Sequence, residues 1–213
     1  MQTTLGQDVA TIAAGLGNER IDVWQLAYRR AQRRDPLRAL LAVYLGVPAD
    51  AVTFVQDVHG RPELAPPWHG LLQFNWSHSV DRALIAVTRD VAPGIDVERI
   101  RPRPRAMALA ERFFHSEETA ALAALDPARR EHAFLELWTG KEAVLKALGR
   151  GLAFGLDRLR LGVTPPGPLL WLDGDDPGQW QLHRLPLGAD HVASVAWRGP
   201  PREIRLWTLA DGP

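Results

Sequence analysis

The segment from Asp126 to Gly149 constrains the fold more than any other part of the chain. Asp126-Pro127 supplies a capping carboxylate followed by a proline, whose fixed φ and missing N–H suit the first turn of a helix. Gly149 supplies the stop, because glycine enters the left-handed conformation that ends many helices. Between them Phe134, Trp138, Lys141, Leu145 and Leu148 recur at three- and four-residue steps, which gives one apolar stripe interrupted by a lysine. Beyond Gly149 the period becomes two: Leu159 to Val163, Leu169 to Leu172, Trp180 to Leu185, His191 to Trp197 and Ile204 to Leu209 read as successive strands. A long amphipathic helix beside a β-rich tail places the chain in the α+β class.

The first part of the chain repeats this theme. Ile21-Asp22-Val23-Trp24 alternates as a strand, and Asp35-Pro36 opens a helix carrying Leu40, Leu41, Tyr44 and Leu45 before Gly46. Val47 to Gly70 is rich in turn formers around one short strand, Val52 to Val55. Ala83 to Thr88 and Gly94 to Glu98 are expected to pair as a hairpin. Arg99 to Arg105 mixes arginine with proline and reads as an extended connector, followed by helices at 106–114 and near 117–125. The runs Asp81 to Val87 and Asp190 to Ala196 share a hydrophobic pattern, and Arg38 and Lys141 each stand eight residues before a glycine, Gly46 and Gly149. These parallels predict two pseudo-symmetric halves, at 19–105 and 106–213, with an N-terminal extension at 1–18. The acidic residues at 96 and 98 have no acidic counterparts in the second copy, which has Arg205 and Trp207 instead, so a single active site is expected in the cleft between halves.

Composition removes several classes of function. A chain of 213 residues, 46% hydrophobic, can bury a sizeable core. Its formal net charge of zero argues against general binding to nucleic acid or membrane surfaces. With no cysteine, disulfides, thiolate metal sites and a cysteine nucleophile are excluded. No stretch approaches the length of a membrane span and Met1 to Gly17 does not read as a leader, so a cytoplasmic protein is expected.

Chemistry concentrates in four places. In Gly94-Ile95-Asp96-Val97-Glu98 the strand period puts both carboxylates on one face, a donor pair suited to a hard divalent cation such as magnesium. Trp138, Glu142 and Lys146 are each one helical turn apart, so Glu142 can complete that set beside an ammonium. Lys141 and Lys146 are the only lysines among 25 basic residues; Lys141 can cover the core with its stem and send its charge to a phosphate or an acid. Phe74-Asn75-Trp76-Ser77-His78-Ser79 and Gly60-Arg61-Pro62 offer hydroxyl, imidazole and guanidinium groups for phosphate. Taken singly, each segment also fits a solvated strand face, a helical ion pair or a polar turn. No Gly-Xaa-Ser-Xaa-Gly elbow surrounds either serine, which argues against a hydrolase.

In order, Gly60-Arg61-Pro62, Phe74 to Ser79, Gly94 to Glu98, Arg112-Phe113-Phe114 with Glu118, and Trp138 to Lys146 followed by Gly149 to Leu152 resemble the surfactin-synthetase type of 4'-phosphopantetheinyl transferase. Trp76 departs from the smaller aliphatic residue usual there. The resemblance implies transfer of 4'-phosphopantetheine from coenzyme A to a serine of an apo acyl or peptidyl carrier protein, in a monomer with coenzyme A in the cleft. It implies that Arg61, Ser77 and His78 bind the 3'-phosphate and adenosine, within a coenzyme site that also draws on Gly60, Pro62, Asp96, Lys141 and Lys146. Asp96, Glu98 and Glu142 would hold magnesium on the pyrophosphate. Arg38 is the best match for an N-terminal phosphate cation, with Arg29 and Arg30 as alternatives. Glu142 is the candidate base, Lys146 neutralises the leaving group, and Glu118 assists. Arg99, Arg101, Arg103 and Arg105 either dock an acidic carrier or form only a connector. A catalytically inactive coenzyme A or carrier-binding module is the alternative from another class. A metal-dependent nuclease fits less well, because no lysine stands two positions beyond Glu98.

Overall fold

The chain folds as an α+β structure, and its computed structural model describes residues 8–163 and 167–209. In chain order the elements are α1 (Val9–Ala14), β1 (Arg20–Ala27), α2 (Asp35–Leu45), β2 (Phe54–Gln56), β3 (Pro62–Leu64), β4 (Gln73–Ser79), β5 (Arg82–Thr88), β6 (Gly94–Arg99), α3 (Ala106–Phe113), α4 (Ser116–Ala124), α5 (Pro127–Leu148), β7 (Leu159–Leu161), β8 (Leu169–Leu172), β9 (Trp180–Arg184), β10 (His191–Arg198) and β11 (Glu203–Thr208). Helix α5 is bounded as its caps require: the Asp126 side chain accepts from the Ala128 N–H, and Gly149 is left-handed at φ 71°.

Two sheets lie face to face. One has the order β11-β1-β5-β4, and the other β6-β10-β9. Strand β11 runs parallel to β1, whereas β5 is antiparallel to both β1 and β4. The period of two decides what each face meets. Ile21 and Val23 of β1 and Leu84 and Ala86 of β5 pack against Ile95, Val97, Val195 and Trp197 of the second sheet. The opposite residues of the first sheet, Trp24, Leu26, Ile85 and Val87, meet Leu37, Leu40 and Leu41 of α2. On the far side Val192 and Ala196 of β10 meet Phe134, Leu137, Val144 and Leu145 of α5. The stacking is therefore helix, sheet, sheet, helix.

The sheets exchange strands. β6 pairs with β10, and β11 pairs with β1, so a division of the chain near residue 105 follows the helices and not the sheets. The expected pairing of Ala83–Thr88 with Gly94–Glu98 is not formed; β5 instead makes the hairpin with β4, turning at Val80 and Asp81. The reason is the approach of β6 to α5. A Cβ at Gly94 would lie 1.9 Å from the Ala143 carbonyl oxygen, so this strand starts where only glycine lets it press on the helix. Of the expected N-terminal extension, positions 1–7 lie outside the described residues, while Ile12 and Leu16 of the next segment are buried against the first sheet.

Candidate active site

The seam where β4 faces β6 is stitched by side chains. Asn75 Oδ1 accepts from the Ile95 N–H at 3.0 Å, Ser77 Oγ donates to Asp96 Oδ1 at 2.7 Å, and Ser79 Oγ donates to Glu98 Oε2 at 3.1 Å. Each strand contributes alternate residues, so two serines meet two carboxylates in register. The close approach fixed by Gly94 brings α5 over this seam. From α5, Lys146 Nζ donates to Asp96 Oδ1 at 2.7 Å, Ile95 O at 3.1 Å and Ser77 Oγ at 3.3 Å.

Negative charge is concentrated here. Burial, reinforced by the charge of Asp96 and then Glu98 and opposed by Lys146, pushes the Glu142 carboxyl up to about 7. Asp96 is buried, and its Oδ2 has no hydrogen-bond partner. Glu98 Oε2 also accepts from Arg103 Nη2 at 2.6 Å. Among the described residues no set of three or more histidine, aspartate or glutamate groups is drawn together as a ready-made metal cage, and Asp96 and Glu98 are each held by a cation. The donor chemistry nonetheless fits a hard divalent cation: Asp96 keeps one buried oxygen without a partner, and burial together with the charges of Asp96 and Glu98 raises the pKa of the Glu142 carboxyl.

His78 stands at the open end of the same seam. Its ring lies 4.6 Å from that of Tyr28, and burial together with the charges of Lys146 and Arg30 holds its pKa below the usual imidazole value. Arg30 is therefore the N-terminal arginine whose charge acts on the His78 imidazole. Arg38 lies on α2 with its Nε buried and unpartnered, and no hydrogen bond or salt bridge links it to the seam among the described residues.

Three of the expected ligands are engaged elsewhere. Arg61 turns inward: Nη1 donates to Lys146 O at 2.6 Å and Ala147 O at 3.5 Å, and Nη2 donates to Phe74 O at 3.2 Å and Pro93 O at 3.1 Å. The guanidinium therefore clamps the carbonyl end of α5 to both sides of the seam. Gly60, at φ 83°, and Pro62 form the turn that presents it, and the Asp57 carboxylate holds that turn through the Arg61 N–H at 2.8 Å. Lys141 is 0% and Glu118 1% exposed, 2.6 Å apart. Lys141 Nζ also donates to Leu156 O at 2.8 Å and Leu159 O at 2.5 Å, and Glu118 accepts from the Leu161 N–H at 2.7 Å. This buried pair ties α4 and α5 to β7, and both side chains are engaged within the fold.

Sequence reasoning missed the contacts that Ser79 and Arg103 make with Glu98. The signal for Ser79 is the matching two-residue spacing of Ser77 and Ser79 against Asp96 and Glu98. One groove, lined by Arg61, Glu63, His69 and Phe74, borders the seam. Another, about 580 Å³ between the end of β9 and β11, does not.

The family description of the 4'-phosphopantetheinyl transferase superfamily matches residues 92–196, which hold Asp96, Glu98, Glu142 and Lys146. The chain is 34% identical over 172 residues to a putative 4'-phosphopantetheinyl transferase of Synechocystis sp., covering 76% of this chain and 68% of that one. It is 36% identical over 176 residues to the 4'-phosphopantetheinyl transferase HetI of Nostoc sp., covering 82% and 72% respectively. A Bacillus pumilus 4'-phosphopantetheinyl transferase is 33% identical over 133 residues, covering 62% of this chain and 54% of its own length. With the carboxylate seam and its lysine inside the matched region, the chain belongs to the 4'-phosphopantetheinyl transferase superfamily.

Proposed function

We propose that this enzyme transfers the 4'-phosphopantetheine arm of coenzyme A to a serine of an apo acyl or peptidyl carrier protein, releasing 3',5'-ADP. The observation that carries the reading is Lys146, bonded to Asp96 across the seam and one helical turn from Glu142. Asp96, Glu98 and Glu142 are the residues that would hold magnesium, which when bound neutralises the pyrophosphate oxygens and the charge growing on the leaving group. The carrier serine hydroxyl attacks the phosphorus that bears pantetheine, and the bond from that phosphorus to the oxygen of the leaving 3',5'-ADP breaks. Glu142 is the group that accepts the hydroxyl proton. Lys146 stands fixed by three acceptors where negative charge develops, so little reorganisation accompanies the reaction. Arg30 supplies a cation suited to the 3'-phosphate at that end of the seam, with the His78 imidazole beside it as a ring N–H donor. Ser77 holds Asp96 and Lys146 in place.

Arg101 and Arg105, both exposed, are the arginines of the connector available to an acidic carrier. Arg99 is committed to Asp81 at 2.7 Å and Arg103 to Glu98. A cytoplasmic location and a monomeric state belong to the same reading; among the described residues no helix is long and apolar enough to cross a membrane. The test is intact-mass analysis of an apo carrier incubated with the protein, coenzyme A and magnesium. A gain equal to one phosphopantetheinyl group is expected, and an unmodified serine across acyl and peptidyl carriers would overturn the reading.

A further inference from the structure

We propose that Arg103 is a built-in counter-ion that occupies Glu98 until a divalent cation displaces it, so that this side chain sets how tightly the seam binds the cation. The proposal rests on the assignment of Asp96, Glu98 and Glu142 as the cation site. Arg103 Nη2 lies 2.6 Å from Glu98 Oε2, and the two side chains are 21% and 23% exposed, so the contact is shielded but open on one side. The guanidinium is bound at one end only, since its Nε is buried without a partner. A one-ended pair forgoes the bidentate geometry that makes arginine–carboxylate contacts strong.

The backbone is prepared for exchange. The Arg103 N–H donates to Glu131 Oε2 at 2.9 Å, and Pro102 and Pro104 fix the chain on either side. The segment therefore stays while the side chain leaves, with solvent and the exposed Arg101 and Arg105 beside it. Lys146 differs from Arg103 in this respect. It is held by Ile95 O and Ser77 Oγ as well as by Asp96, and so remains when charge arrives. A cation approaching Glu98 meets the Arg103 guanidinium and the Ser79 hydroxyl already on Oε2, so competition for that oxygen and charge repulsion act in the same direction.

The experiment measures Mn²⁺ binding to the whole protein with coenzyme A by calorimetry. Replacing a charge-assisted contact should make Arg103→Gln bind Mn²⁺ about five- to tenfold more tightly. Arg101→Gln, an equal change of charge at an exposed position, should alter affinity less than about twofold. Arg103→Lys, which keeps the charge but not the reach, should fall between parent and Arg103→Gln, and it serves should Arg103→Gln fold poorly. In the Glu98→Gln background the effect of Arg103→Gln should vanish. Parental affinity in Arg103→Gln and Arg103→Lys, with weakened binding in Glu98→Gln, would overturn the counter-ion alone. Parental affinity in Glu98→Gln would overturn the cation site beneath it.

Discussion

Lys146 and Asp96 meet across the two-sheet seam with Nζ 2.7 Å from Oδ1, and the same ammonium is held by Ile95 O at 3.1 Å. A cation held this firmly beside three acids stabilises charge that appears only during transfer. Lys146→Met is therefore expected to lower kcat by about a hundredfold or more with little change in KM for coenzyme A. Asp96→Ala and Glu142→Ala should nearly abolish transfer while the protein still folds. Intact-mass rates with apo carrier, beside a thermal melt of each variant, provide the check. A folded variant working at the parental rate contradicts the assignment.

Glu118 and Lys141 should behave as structure. Burial lowers the Lys141 pKa to about 8 even with Glu118 beside it. Removing the acid leaves that cation in a dry interior, so Glu118→Ala should cost about 3–5 kcal/mol of stability. The double replacement Glu118→Leu and Lys141→Met removes both charges and should regain most of the loss. Urea unfolding gives the comparison, and KM for coenzyme A in the double variant should stay near the parental value.

The same segment shows what the sequence could and could not reveal. The limits of α5 were legible because Asp126, Pro127 and Gly149 act locally on backbone groups. The common face of Asp96 and Glu98 was legible because strand alternation needs no partner. The partner of each strand was not. β6 leaves β5 for β10 because Gly94 can press on α5, a contact between residues far apart in sequence. The fates of Arg61 and Lys141 were hidden for a similar reason: a cation beside backbone carbonyls or a buried acid has the same letter as one beside a phosphate.

Arg61 and His78 can be separated by substrate. Because the Arg61 guanidinium is taken up by four carbonyl oxygens, Arg61→Ala should weaken coenzyme A and 3'-dephospho-coenzyme A equally while lowering the melting temperature. His78→Ala and Arg30→Ala should raise KM for coenzyme A about tenfold, as for loss of a charge-assisted hydrogen bond, and barely affect the dephospho form. Steady-state kinetics on both substrates decides. Selective loss in Arg61→Ala would return that residue to the phosphate site.

Glu142 makes stability depend on pH in a stated direction. Its carboxyl titrates near 4.5 when unfolded and about 7 when folded, so between these values the folded chain binds more protons. Stability from this group is thus present below pH 4.5 and is lost as pH rises through 7. Relative to Glu142→Gln, the parent should lose on the order of 2–3 kcal/mol between pH 5 and pH 8. Magnesium added at pH 8 should recover part of that loss in the parent and little in the variant. Urea titrations at both pH values measure it, and parallel pH curves would remove the charge strain assigned to Glu142.

Carrier docking should rest on the exposed arginines of the connector. Arg101 and Arg105 make no salt bridge among the described residues, while Arg99 and Arg103 are bound to Asp81 and Glu98. Exposed cations speed encounter with an acidic helix, and their effect fades as salt shortens the screening length. Replacing Arg101 and Arg105 with serine should raise KM for carrier about three- to tenfold at low ionic strength and flatten its salt dependence, as expected for lost steering. KM for coenzyme A should not move, because neither side chain touches the seam. Replacing Arg99 with serine should act differently: its ion pair holds the Val80–Asp81 turn against β6, so stability falls with little change in the salt slope. Carrier kinetics measured from low to high salt on the three proteins separate these outcomes. An unchanged slope in the Arg101, Arg105 variant would leave residues 100–105 as a connector, with the acidic partner seated elsewhere.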